Sequence, residues 1–306
     1  MNKLKYFALG IGAVIFFTAP LAATAQQRFK TPEEAADRLA AAARAKDSRA
    51  LALTLGRGSA QIIASGDPVA DDEMRQAFVA AYDAGHRIKI EGGNTATLLV
   101  GSDEWPFPIP LVQDRDTWRF DTASGRGEIL SRRIGRNELA AAMTLLAYVD
   151  AQNEYAEMDA ARGGMGVYAQ RIASSPGKKD GLYWPAAQGE PESPLGEFVA
   201  VASQRGPVGA GAPFHGYYYR ILTRQGPAAP GGERNYIAHG KMIGGFAMVA
   251  YPAEYGNTGV MTFLVNKDGD VFEKDLGSAT GRVVWRMNSF NPDHTWRKVL
   301  DTQAQH

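Results

Sequence analysis

The chain changes its hydrophobic period twice. Thr31-Pro32-Glu33-Glu34 forms a capping box with proline at the first helical position, and Ala35, Leu39, Ala42 and Ala43 follow at helical spacing. These signals predict a helix from Pro32. A second, short helix is expected after Asp47-Ser48, ending at Gly56, and a third from Asp71 to Ala84. Asp71, Asp72 and Glu73 complement the N-terminal dipole of that third helix, and Gly85 stops it. The period then falls to two: Arg87 to Glu91 alternates, Thr95 to Val100 is β-rich, and Ile109 to Val112 and Thr117 to Asp121 flank a polar turn. Helices followed by these runs predict an antiparallel sheet packed by the helices before it. Trp105-Pro106-Phe107-Pro108-Ile109-Pro110 belongs to an edge or a loop, because three prolines remove three ladder donors.

The helical period returns in Arg132-Arg133-Ile134-Gly135-Arg136-Asn137-Glu138 and the apolar run behind it. Asn137 reads as an N-cap with Glu138 in the first turn, and Leu139, Met143, Leu146 and Val149 form one stripe. Leu139 to Val149 is too short for the ~20 residues of a membrane span, so a helix buried within protein is expected. Beyond it the pattern predicts a helix over Val167 to Ala173, an ordered aromatic loop at Asp180 to Pro185, and a helix over Ser193 to Gln204. The glycine-rich Gly206 to Gly211 then leads to four β-like runs, Tyr217 to Thr223, Phe246 to Tyr251, Val260 to Asn266 and Val271 to Lys274. Lys267-Asp268-Gly269-Asp270 is a hairpin turn between the last two. Helices first and an antiparallel meander after, twice over, make an α+β protein of two domains, 26–130 and 131–306.

Residues 1–25 stand outside this pattern. Lys3 and Lys5 precede an apolar run from Tyr6 to Thr18, and Ala23-Thr24-Ala25 supplies small residues for cleavage. This is the arrangement of a secretory signal peptide, so the mature chain is expected in the periplasm or outside the cell, with no membrane span. Removing 25 of the 306 residues would leave 281, enough for two domains with cores of their own. The 33 basic and 33 acidic residues balance, and losing Lys3 and Lys5 leaves two acidic residues in excess. A nearly neutral chain of mixed sign has no electrostatic footprint for nucleic acid. With no cysteine at all, disulfides, thiol nucleophiles and thiolate metal sites are excluded.

Four segments together resemble one family. Trp105 to Pro110, Arg132 to Glu138, Asp180-Gly181-Leu182-Tyr183-Trp184-Pro185 and Gly256-Asn257-Thr258-Gly259-Val260-Met261-Thr262-Phe263 are similar to an exported bacterial family catalogued as domain of unknown function 2950. The resemblance covers nearly the whole mature chain and implies export and this architecture, with no activity attached. The second half also resembles the globular domain of pilins and pseudopilins: a helix carrying Asn137-Glu138, Ala151-Gln152 and Tyr155, then Gly216 to Arg220 and a closing strand ending in Asp268-Gly269. It departs from that family in placing the apolar helix internally. The first half is similar in element order to the nuclear transport factor two-like cone, a fold with many unrelated uses.

Motifs for catalysis are missing. No Gly-x-Ser-x-Gly elbow is present, and the histidines at 86, 215, 239, 294 and 306 have neither His-x-His nor His-Glu-x-x-His spacing. His215 reads first as a loop histidine at a strand start, and Lys267 to Asp270 fits a hairpin better than a calcium cage. Neither Gly163-Gly164-Met165-Gly166 nor Gly206 to Gly211 ends in the Gly-Lys-Ser/Thr of a phosphate loop. What remains as a candidate binding surface is Trp105, Arg132, Arg133, Asp180, Tyr183, Trp184, His215 and Tyr217, although Tyr217 and Tyr219 share a strand face that could equally pack on the long helix. No cofactor or metal is expected. The leading expectation is a non-enzymatic envelope protein that binds a partner protein or surface polymer. The alternative is a small-molecule binder or hydrolase using the cone interior or the cleft between domains.

Overall fold

The computed structural model describes residues 26–186, 192–196 and 212–300. The expected leader, most of the helix expected from Ser193 and the Gly206 to Gly211 connector lie outside the described residues.

Helix α1 (Pro32–Arg44) starts where the capping box predicts: the Glu34 amide donates to Thr31 Oγ1 at 3.1 Å, and the Lys30 amide donates to Glu34 Oε2 at 2.9 Å. α2 (Ser48–Leu55) is capped by Asp47 and ends at Gly56. A single helical turn, α3 (Ala60–Ile63), follows without any strong signal in the sequence. α4 (Pro68–Ala84) begins three residues before the expected Asp71. Its cap is Asp67, whose Oδ1 accepts from the Ala70 amide at 3.0 Å, with Pro68 at the first helical position. An Asp-Pro start outcompetes the acidic triplet because it satisfies an amide directly instead of acting only through the dipole.

These helices cover an antiparallel sheet of β1 (His86–Glu91), β2 (Thr95–Val100), β3 (Trp105–Pro106), β4 (Leu111–Asp114) and β5 (Thr117–Phe120), in the order β1-β2-β4-β5 with β3 pairing β2 at one end. The proline-rich segment is therefore the short edge that its missing donors require. Phe29, Leu39, Leu51, Leu55, Ile109, Leu111 and Phe120 form the core beneath.

The next element is one continuous helix, α5 (Thr122–Ala161), 40 residues and about 60 Å long. The expected start at Asn137 is corrected: Asn137 lies in mid-helix, buried, and the helix crosses the expected domain boundary at 130. Of the expected stripe, Val149 lies in the second core and Leu146 packs against it, while the other two positions are corrected. Leu139 and Met143 are 63% and 57% exposed, whereas Ala141, Leu145, Tyr148, Val149 and Ala151 face the second core. Ala141 permits close approach to the sheet, and Leu139 and Met143, each two residues from it and about 200° round the helix, turn outward.

Opposite α5 lies the second sheet: β6 (Tyr217–Leu222), β11 (Ala247–Pro252), β12 (Met261–Asn266), β13 (Val271–Asp275) and β14 (Arg297–Leu300), ordered β14-β13-β12-β11-β6. Between β6 and β11 the chain makes two small ribbons, β7 (Arg224–Gln225) with β8 (Arg234–Asn235) and β9 (Ile237–Ala238) with β10 (Lys241–Met242). α6 (Thr280–Arg286) packs on β11, and Arg220 donates to the carbonyls of Val284 and Met287 at its C-terminal end. Tyr217 and Tyr219 point at α5 while Arg220 reaches α6, so β6 alternates faces as its sequence predicts.

The helix expected over Val167 to Ala173 is absent. Tyr168 instead pairs with Met242 and Ala173 with Tyr183. Gln152, fully buried on α5, holds the stretch by accepting from the Ala169 amide at 2.8 Å and donating to the Ala169 carbonyl at 2.9 Å. That bidentate grip satisfies the backbone in place of helical hydrogen bonds. The chain is α+β. No helix among the described residues is long and apolar enough to cross a membrane.

Candidate functional site

Three side chains of α5 meet the turn before β12. Arg133 is 2% exposed and donates from Nη1 to the Gln61 carbonyl at 2.6 Å and to Asn257 Oδ1 at 2.7 Å, and from Nη2 to the Ile62 carbonyl at 3.0 Å. Asn137 donates to the Thr258 carbonyl at 2.9 Å, and one oxygen of Glu138 accepts from the amides of Val260 and Met261, each at 2.9 Å. From the first half, Asp67 Oδ2 accepts from the Gly216 amide at 2.8 Å, and the Ser65 carbonyl accepts from Asn257 Nδ2 at 3.1 Å. Two of the family-like motifs, far apart in sequence, are thus a single joint.

Gly216 permits this convergence. It has φ of +73°, and a Cβ there would lie 2.5 Å from Asn137 Nδ2 and 2.9 Å from the Thr258 Cβ. Gly125 does the same further up α5, where a Cβ would sit 2.5 Å from the Pro108 carbonyl. Burial draws the Arg133 guanidinium below its ordinary value, opposed by the charges of Asp71 and Glu254. It remains cationic, and its Nε has no hydrogen-bond partner among the described residues. Chemically the joint is a strut: Arg133, Asn137, Glu138 and Asp67 each hold backbone across it.

The candidate residues fall into three groups. Trp105 and Arg132 come together, the guanidinium 4.4 Å from the centre of an indole that is 53% exposed, with Glu128 pairing Arg132 at 2.5 Å. Arg133, Trp184 and Tyr217 are buried at 2%, 3% and 0% exposure and present no surface. Trp184 lies under Lys179, and the Tyr217 hydroxyl donates to the Met261 carbonyl at 2.9 Å. Burial foremost, then Glu138, pushes the Tyr217 phenol far above its usual range. Asp180, Tyr183 and His215 stand apart from the Trp105 pair. Asp180 accepts from the Ser175 amide at 2.7 Å and from Ser175 Oγ at 2.9 Å, which holds its carboxyl below the ordinary value. Tyr183 bridges to Ala173, and His215 sits at φ of +50° beside the Phe214 ring. His86 stacks on Tyr82 at 3.7 Å and pairs with its carbonyl.

Within the first core a cavity of about 110 Å³ opens between the helices, lined by Leu39, Leu55, Ile62, Phe78 and Phe107, with Asp71 and Arg75 on its wall. No histidine lines it. Among the described residues no group of three His, Cys, Asp or Glu side chains could hold a metal ion.

Comparison with known proteins agrees with the sequence motifs. The family model described as "Protein of unknown function (DUF2950)" matches residues 26–299. The chain belongs to this family. No curated protein and no solved structure matches it. The pilin likeness rests on the residues quoted for it and the cone likeness on element order, with no solved structure beside either. The joint was missed in the sequence because Arg133 and Asn257 carry no local pattern. The only available signal was that RRIGRNE and GNTG both accompany the family.

Proposed function

We propose that this DUF2950 member is an exported, non-enzymatic protein of the cell envelope that works by binding another protein. The observation that carries this reading is unused apolar surface on a rigid element: Leu139 and Met143 stand out from α5 at 63% and 57% exposure, on the helix that also carries Arg132 against exposed Trp105. Export is supported by the basic, apolar, small-residue order of residues 1–25 and by a family match that begins at residue 26. The non-enzymatic reading is supported by two of the polar candidates, Arg133 and Asp180, whose side chains hold backbone, and by Arg132, which is taken up by Glu128 and Trp105. The apolar cavity favours a second reading, a small-molecule binder, with Asp71 and Arg75 as the charged groups on its wall.

The test uses the chain from residue 26, offered a panel of esters, glycosides, peptides and phosphates. No turnover is expected, and exchanging Leu139 and Met143 for glutamate should abolish retention of a binding partner on immobilised protein. Turnover abolished by His215→Ala or Asp180→Ala would overturn the reading.

A further inference from the structure

The outward face of α5 carries an internal symmetry. Taking Met143 as origin, Leu139 and Ala147 lie four residues before and after it, Arg136 and Asp150 seven, and Arg132 and Glu154 eleven. At about 100° per residue all of these fall within roughly 40° of the Met143 direction, one stripe about 33 Å long. Each of them is exposed, while the opposite face is buried, in the polar joint at Arg133 and Asn137 and in the second core from Ala141 onward. The centre is apolar, the N-terminal arm is basic and the C-terminal arm acidic.

Such a stripe is complementary to itself when turned end over end. In an antiparallel pair centred on Met143, Arg132 of one copy meets Glu154 of the other, Arg136 meets Asp150, Leu139 meets Ala147, and Met143 meets Met143. A parallel pair would stack arginine on arginine and carboxylate on carboxylate. The acidic arm is open: among the described residues Asp150 and Glu154 make no ion pair, whereas Arg132 pairs Glu128 at 2.5 Å and would turn from it, or share it, on meeting the second copy's acidic arm. The Arg136 guanidinium has only the Met74 sulfur, at 4.0 Å, as a neighbour in hydrogen-bond range. The stripe also runs through the region where the helix is fixed most firmly from behind, by Arg133, Asn137 and Glu138 at one end and Gln152 at the other. A docking surface held this rigidly loses little conformational entropy on pairing.

We propose that the partner of this face is a second copy of the chain, forming an isologous antiparallel dimer about a two-fold axis at Met143. The proposal rests on the reading that the exposed helix face is a binding surface, and it names the occupant. One helix pair is a small interface, so the dimer is reversible, and its charged arms make it weaken with salt.

The cysteine-free chain allows the register to be read directly. Met143→Cys, at an exposed position, puts two thiols on the axis, where facing Cα atoms come within the ~4.4–6.8 Å span of a disulfide. Mild oxidation should convert it to a covalent dimer on a non-reducing gel. Arg132→Cys places its thiols about 33 Å apart and should stay monomeric. In sedimentation velocity the unaltered chain should move toward dimer with concentration. Arg136→Asp should raise the dissociation constant about tenfold, and adding Asp150→Arg to the same chain should restore it. A monomeric Met143→Cys protein under oxidation, equal cross-linking of Arg132→Cys, or no recovery in the double reversal would each overturn the dimer. If in addition an unrelated partner is still lost on exchanging Leu139 and Met143 for glutamate, the binding reading stands and only its occupant is wrong. Catalytic turnover would instead remove the reading underneath.

Discussion

α5 is docked in two different ways along its length. Its first half is fixed by directed hydrogen bonds, with Arg133, Asn137 and Glu138 reaching both the Gln61 to Ser65 segment and the turn before β12. Its second half is fixed by contact area, with Ala141, Leu145 and Tyr148 against Phe246, Ala247 and their neighbours. Apolar packing is non-directional and supplies stability, whereas a buried guanidinium with three acceptors tolerates few alternative geometries. The polar joint therefore sets how the two cores sit on one helix, and the apolar half supplies the stability of that arrangement.

The largest effect should come from cutting the joint. Arg133→Met keeps most of the volume but strands the Gln61 and Ile62 carbonyls, Asn257 Oδ1, and the charges of Asp71 and Glu254. A loss of about 3–5 kcal/mol is expected. Because both cores lean on this residue, hydrogen exchange at rising urea should show amides of β2 in the first core and of β11 in the second opening at separate denaturant concentrations. Coincident opening with little loss of stability would mean that the joint does not couple the cores. Leu145→Ala acts on the other side. Fully buried, it should cost about 2–5 kcal/mol through a cavity, yet leave a single transition or lower only the second core.

A smaller effect sharpens how far the polar grip extends. Gln152 is the one fully buried polar side chain in the apolar half of α5, and it bonds Ala169 from both amide atoms as well as donating to the Tyr148 hydroxyl at 3.0 Å. Gln152→Leu should cost about 1–3 kcal/mol, for the Ala169 amide and carbonyl it leaves unpaired. Hydrogen exchange checks the mechanism: the Ala169 amide should lose protection while amides of β11 keep theirs.

Elements with local signals were legible before the structure. The capping box of α1, the Asp47 start of α2, the hairpin after Asn266 and the split faces of Tyr217 and Tyr218 all follow from contacts a few residues apart. Long-range competition decided what was not. Asn137 looks like an N-cap, but its amide group is claimed by Thr258, 121 residues away, and the helix runs through it. Leu139 and Met143 look like core because leucine and methionine usually are, yet the sheet is approached by Ala141 between them. Val167 to Ala173 has helical spacing, and Gln152 and Met242 take its backbone groups instead. Of the candidate surface, only the Trp105 and Arg132 pair was assembled by the fold; the rest was divided among packing positions and loop contacts.

The smallest expected effect tests whether the loop that carries Asp180 belongs to the polar or the apolar regime. The Ser175 amide and hydroxyl, both donating to this carboxylate, hold its folded value below the ordinary one of an aspartate. A depressed folded value means that the ionised form is bound preferentially, so the group adds stability above its unfolded value, near pH 4. That contribution is lost as pH falls from there through the depressed folded value, and it is constant at neutral pH. Asp180→Asn should therefore lower the melting temperature slightly at pH 7, with the difference from the unaltered chain shrinking at the acid end of that window. Because the carboxylate is close to solvent, the effect should stay below those of Gln152 and Arg133. A difference that instead grew on acidification would mean that the carboxyl is held in its protonated form, and that Ser175 is not what orders this loop.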